Sequence, residues 1–220
     1  MSITINYKNS QKKNKISNIV LFVDEKFNIY NLKKYLSSPD YSFISDLLKT
    51  KDLKKKILSF DVNSKKKIIL VSLKNNIKDS QVENLGAKFY DNFKDIKQSN
   101  FTINSDLVPK KFRNIVGYFL HGIKLKSYIF DKYKTKKTKK NIVINIIGKN
   151  KPTLKDQIKF RAVEEGTFYT RDLVSEPGNI LHPDEYVKRI NSLKKLGLKI
   201  SIYDEKKMRK LGMNALLGVG

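Results

Sequence analysis

A chain of 220 residues, 40% of them hydrophobic and with a formal net charge of +25, can build one packed domain and part of a second. The absence of cysteine excludes disulfides, thiolate nucleophiles and Cys-ligated metals. The amino terminus, MSITINYKNSQKKNK, lacks the apolar core of a secretory signal, and no apolar run approaches membrane-spanning length, so a cytoplasmic protein with no membrane partner is expected.

Ile16–Asp24 (ISNIVLFVD) is a continuous, β-branched apolar run and predicts a buried strand. Asp40–Lys49 predicts a short helix with Asp40 as its cap. Lys56–Val62 and Lys67–Leu73 predict two strands joined across Asn63-Ser64. Over Ser80–Ile96 the apolar residues Val82, Leu85, Phe89, Phe93 and Ile96 recur at helical spacing. Phe101–Ile103 predicts a short strand, and Pro109 then opens a helix with apolar positions 112, 115, 116, 119, 120 and 123. Asn141–Gly148 (NIVINIIG) predicts the last strand of this region. Strands and helices alternate over residues 16–148, so an α/β fold with a central mixed sheet is expected.

A short polar link, GKNK, precedes Pro152, and Thr153 with Asp156 forms a capping pair for a helix running to about Leu173. Leu154, Ile158, Ala162, Val163, Gly166, Tyr169 and Leu173 share one side of it, and Ala162 and Gly166 predict the close approach of another element. RDLVSEPGNILHPDEY (171–186) then packs turn-forming residues between two helices, the second opened by Pro183 and closed by Gly197. Leu198–Tyr203 alternates as a strand, Asp204 caps a short helix closed by Gly212, and MNALLGVG predicts entry into a further buried strand.

Residues 1–150 hold 32 of the 46 Lys and Arg, and six lysines crowd residues 132–140. Such charge can neutralise phosphates. Lysine, asparagine and isoleucine are abundant together here, a compositional bias that places lysines on solvated faces; weak, sequence-blind DNA binding stays as an alternative. The two histidines are not spaced as ligands of one metal: His121 lies in an apolar helix as a core or interface residue, and His182 stands where a helix cap belongs. Glu164-Glu165 and Asp204-Glu205 are adjacent carboxylates that point apart on a helix, as surface and capping groups. GKNKPT (148–153) lacks the ending of a phosphate loop. No catalytic, cofactor-binding or metal-binding residue can be assigned from these patterns.

Three segments, in order, resemble the leucyl, or cytosol, aminopeptidase family. GYFLHGIKLKSYIFDKYKTKK (117–137) is similar to the family's Tyr-x-Phe-Asp-x-Tyr-Lys segment. RDLVSEPGNILHPDEY resembles its Arg-Asp-Leu-x-Asn-x-Pro-x-Asn-x-x-x-Pro connector, departing at Ser175 and His182. LGLKISIYDEKKMRKLGMNALLGVG (196–220) looks like the segment that follows. The resemblance implies a macro-like α/β domain over 1–150, a linker helix over 151–175, and the incomplete start of an α/β catalytic domain over 176–220.

It also implies an activity for the full-length protein, the release of N-terminal amino acids from peptide substrates with two divalent metal ions, Mn or Zn. A homo-oligomer, a hexamer in the family, is implied as well. The family's metal-binding and catalytic motifs lie downstream of the segments matched here, so this chain is expected to bind no metal and to be inactive alone. Pro177, Gly178 and Asn179 are expected to shape the connector, with Gly178 at positive φ. A macro-like ligand-binding module is a further alternative, although no glycine-rich phosphate loop follows a strand in residues 1–116.

Overall fold

The structure is a computed structural model that describes residues 2–7, 18–97, 99–108, 114–136 and 141–219. It divides into two compact units, residues 1–168 and 169–220.

In the first unit six strands form one sheet. They are β1 (Ser2–Tyr7), β2 (Asn18–Asp24), β3 (Ile57–Asn63), β4 (Lys66–Leu73), β5 (Asn100–Asn104) and β6 (Asn141–Ile147), in the order β1-β6-β5-β2-β4-β3. Every neighbouring pair is parallel except the β3–β4 hairpin. At the hairpin tip the Asn63 side-chain oxygen accepts the Lys65 N–H at 2.9 Å. The sheet is thus mixed, with one antiparallel edge strand.

β2 reads as an unbroken apolar run because both of its faces are covered. Val20 and Phe22 enter one core with Phe89, Phe101, Phe119 and Ile144, while Leu21 and Val23 enter another with Phe27, Leu32, Ile44 and Phe60. Helices α2 (Asp79–Phe93) and α3 (Ile115–Lys126) cover the first face, and α1 (Ser38–Leu48) covers the second. The rings of Phe22 and Phe89 meet Phe119 edge-on at 5.5 and 5.4 Å. Where α2 crosses α3, Gly86 faces the backbone of Phe119 and Gly122 faces the backbone of Glu83. Neither position has room for a Cβ, so the crossing is set by two glycines. Buried Asn18 spans the start of the sheet, donating to the Asn100 carbonyl and accepting from the Lys67 N–H.

Helix α4 (Leu154–Ser175) begins at the Thr153–Asp156 pair, each side chain accepting the other's N–H at 3.2 Å. Asp156 also accepts from Asn114 at 3.0 Å, which ties this helix start to the start of α3. Within the first unit α4 meets α3 through Phe160 and Glu164, and one turn on Phe168 meets Tyr128, just past the end of α3. Of the apolar side expected to pack, Leu173 is buried and Tyr169 half-buried, but the positions before them are not packed. Leu154, Ile158, Ala162 and Val163 are exposed, and a Cβ on Gly166 would meet nothing within 4 Å.

Other expectations also change. The cap of α1 is Ser37, whose hydroxyl accepts the Asp40 N–H, and Asp40 lies in the first turn. β1, an edge strand with Ile3 and Ile5 alternating with Thr4 and Asn6, was not among the expected elements. The strand at Ile16–Asp24 is described from Asn18, and the helix opened by Pro109 from Ile115; residues 16–17, 109–113 and 137–140 lie outside the described residues.

In the second unit α5 (Pro183–Ser192) continues into a 3-10 turn that Gly197 closes at φ 85°. Asp204 accepts the Lys207 N–H at 2.8 Å and starts α6 (Glu205–Lys210), which Gly212 follows at φ 71°. Leu198–Tyr203 forms no strand, and residues 214–217 form a short helix, α7 (Asn214–Leu217), rather than a strand. A strand exists only as part of a ladder, and the described residues of this unit supply no partner for either segment.

Candidate functional site

The connector between α4 and α5 is shaped by hydrogen bonds rather than by a glycine. The Pro177 carbonyl accepts the N–H groups of Ile180 and Leu181, both at 2.9 Å, and Glu176 N–H returns to the Asp172 carbonyl at 3.1 Å. Gly178, expected at positive φ, is not among the positive-φ glycines, and a Cβ there would meet nothing within 4 Å. Pro177, with φ fixed by its ring, and its doubly used carbonyl are enough to turn the chain. His182 occupies the N-cap position of α5 but makes no side-chain cap bond; its carbonyl accepts the Tyr186 N–H instead.

One residue that sequence reasoning missed fixes the connector. Arg189 donates from Nη1 to Glu176 at 2.9 Å and from Nε to Glu185 at 2.9 Å. The Glu176 side chain is 1% exposed, so this carboxylate is withdrawn from water and held by a guanidinium. The bond from Arg189 holds the Glu185 carboxyl below its ordinary range, and the bonds to Glu185 and then Glu176 raise the Arg189 guanidinium further. The i, i+4 spacing of Glu185 and Arg189 on α5 was a visible signal; the reach back to Glu176 was not.

His121 is buried, as expected of a core histidine, with Nδ1 3.0 Å from Glu164 and its ring 5.3 Å from that of Phe160. Glu164 is therefore no surface carboxylate: it is half-buried and paired, while Glu165 is exposed. Burial first, and the Glu164 charge second, push the Tyr7 phenol up to about 12. Residues 148–150 of the GKNKPT loop fold back on the turn after β5. Lys149 N–H donates to Asp106 at 2.7 Å and the Asn150 amide to the Val108 carbonyl at 3.0 Å. Its backbone donor meets a carboxylate, so it is no phosphate cradle.

Among the described residues, no three His, Asp or Glu side chains are grouped so that they could hold a metal ion. Glu176 and Glu185 are engaged by Arg189, Asp204 by its helix, and Glu164 by His121. The donor set for two divalent ions is not assembled by these residues, and no hydrolytic step is derived from them. Nor does any helix among them have the length and apolar character to cross a membrane.

The second unit carries the other notable feature. Helices α5, α6 and α7 bury none of their residues, while Leu196 and Leu216 are 77% and 60% exposed. Among the described residues of this unit Leu173 alone is a buried hydrophobic, and none joins a buried apolar cluster.

Residues 168–220 match the model of the cytosol aminopeptidase family, catalytic domain. Curated relatives include a probable cytosol aminopeptidase of Bradyrhizobium sp., 43% identical over 104 residues, which is 45% of this chain and 21% of that protein. Another, from Phytoplasma mali, is 40% identical over 107 residues, 48% of this chain and 22% of that protein. Among solved structures, a mutant of tomato leucine aminopeptidase superposes with a TM-score of 0.74 at 16% identity, over 96% of this chain and 46% of that one. The bottromycin maturation enzyme BotP, in complex with Mn, superposes with a TM-score of 0.62 at 14% identity, over 90% of this chain and 40% of that one. The match thus spans about a fifth of those curated relatives and less than half of those solved chains.

Proposed function

We propose that this chain, which belongs to the cytosol aminopeptidase family, is the amino-terminal portion of a leucyl-type aminopeptidase and carries no catalysis of its own. Residues 1–150 are its α/β domain, 151–175 its linker helix, and 176–220 the opening of the catalytic domain. The whole protein releases N-terminal amino acids from peptides in the cytoplasm, as a homo-oligomer. Two divalent ions, Mn or Zn, supply the Lewis acid and the activated water when bound. Residues beyond those described here hold them.

The observation that carries this reading is the second unit, whose described residues form no buried apolar cluster. It exposes Ile180, Tyr186, Leu196, Leu216 and Val219, and it coincides with the residues that match the family's catalytic domain. Apolar surface on that scale is buried in a finished domain. Within it, the Glu176–Arg189 pair holds the chain's turn into α5. The reading is tested by the coding frame beyond the Gly220 codon. A frame that continues into a segment rich in Asp, Glu and Lys supports it. A stop codon there sinks it.

A further inference from the structure

Helix α4 is held on the first unit by a contact whose charge depends on one proton. Phe160 enters a slot that Gly117 opens: a Cβ on Gly117 would lie 2.4 Å from the Phe160 ring. The Tyr118 ring meets Phe160 edge-on at 5.1 Å, and the His121 ring lies 5.3 Å from it at a 40° tilt. One turn on, His121 Nδ1 stands 3.0 Å from Glu164 Oε1. The two side chains are 6% and 14% exposed, so little water shares the charge of the carboxylate.

The bond fixes where a proton can come and go. An ionised carboxylate only accepts, so Nδ1 carries the hydrogen and the imidazole gains or loses its second proton at Nε2. Histidine is the side chain that changes charge between about pH 5 and 8. When protonated it sets a counter-charge beside a withdrawn carboxylate, and the bond is charge-assisted from both sides. When neutral it keeps the bond, but Glu164 is then a buried charge facing a neutral ring. The other titratable groups at this contact point elsewhere. Tyr7 of β1 stays neutral, its phenol pushed up to about 12 by burial and then by Glu164 itself. Lys124 of α3 directs Nζ to the Ile3 carbonyl at 2.7 Å. From α2, Asp79 accepts from the Tyr118 hydroxyl, and Glu83 and Asp156 of α4 add negative charge near that phenol. Arg161 and Glu165, beside the clasp on α4, are exposed.

We propose that His121 and Glu164 form a pH-sensitive clasp on α4, closed while His121 is charged and loosened when it is neutral. As pH rises through the titration of His121 the clasp loses its counter-charge. As pH falls through that of Glu164 the carboxylate is neutralised and the clasp is lost from the other side. α4 therefore seats most tightly between the two. The same helix runs on into residues 168–220, which match the family's catalytic domain, so the clasp holds the segment that leads into them. This inference does not depend on the aminopeptidase reading.

The chain has two histidines, and the exposed His182 serves as the reference outside the clasp. The test is ¹H–¹⁵N NMR of the 220-residue chain from about pH 5.5 to about 8.5, following both imidazoles and the amide protection factors of residues 160–164. Protection is expected to fall about tenfold as the His121 ring loses its proton, with Nδ1 protonated throughout. Glu164→Gln keeps an acceptor without the charge and should flatten that dependence. If it does not fold, His121→Gln, which keeps a donor and cannot titrate, should do the same, and the parent decides alone if neither folds. Protection constant across the range, a His121 ring that does not titrate within it, a midpoint that follows His182, or an undiminished fall in Glu164→Gln would each overturn the proposal.

Discussion

The same substitution, glycine to alanine, should act with opposite sign at two helical positions. At Gly122 in α3, a Cβ would lie 2.7 Å from the carbonyl carbon of Glu83 and 2.8 Å from its Cα, with the carbonyl oxygen nearer still. Those are backbone atoms of α2 and cannot rotate away, so α2 and α3 must part by roughly half an ångström or more in a close-packed core. Overpacking of this kind costs about 3 kcal/mol at the upper end of its usual range, and alanine's better helix propensity returns about 1. The net loss is about 2 kcal/mol, a fall in Tm of about 4–8 °C for a unit of this size. Gly166, in α4, has no atom within 4 Å of its Cβ position, so Gly166→Ala keeps only the propensity gain, up to about 1 kcal/mol. Circular dichroism melts at 222 nm of the two variants and the parent provide the comparison. A Gly122→Ala protein that melts at or above the parent would refute the reading of the crossing.

Gly178→Ala should leave stability within about 0.5 kcal/mol of the parent, because the site is open and its φ is not positive, whereas Gly197→Ala, at φ 85°, should lower Tm. Arg189→Gln should loosen the connector, seen as faster amide exchange at Ile180 and Leu181, since Glu176 loses its guanidinium. The Glu185 carboxyl lies below its ordinary value when folded, so its contribution is present at neutral pH and is lost as pH falls through that lowered value. The difference in Tm between parent and Arg189→Gln should therefore shrink on acidification. Tyr7, with its phenol raised to about 12, favours the folded state below the ordinary tyrosine range and loses that effect as pH rises through about 12. Ultraviolet titration of parent and Tyr7→Phe should assign one phenol ionising near that upper limit.

What could be read from the chain divides along physical lines. β2 and β4 were legible because central strands buried on both faces show as apolar runs, β6 because Ile142, Ile144 and Ile146 alternate into the core, and α2 because Val82, Leu85, Phe89 and Phe93 keep helical spacing. β1 escaped because its edge position leaves a short, half-polar segment whose partner, β6, lies more than 130 residues away. The packed side of the first turns of α4 was misread because Phe160 and Glu164 are chosen by α3, and a carboxylate that pairs with a buried histidine looks polar in sequence. Leu198–Tyr203 alternates as a strand should, but alternation does not supply a ladder partner. The Glu176–Arg189 and His121–Glu164 pairs both bring together residues from different elements, and no local pattern announces them.

The central claim, that these 220 residues open an aminopeptidase without holding its chemistry, is tested most directly by one rate measurement. Leu-p-nitroanilide hydrolysis in added Mn²⁺ is followed for the purified 220-residue chain and for the polypeptide extended through its own reading frame past Gly220. The account predicts metal-dependent turnover from the extended protein and none above a contaminant control from the shorter chain. Metal-dependent turnover by the 220-residue chain itself, or silence from the extended one, would contradict it.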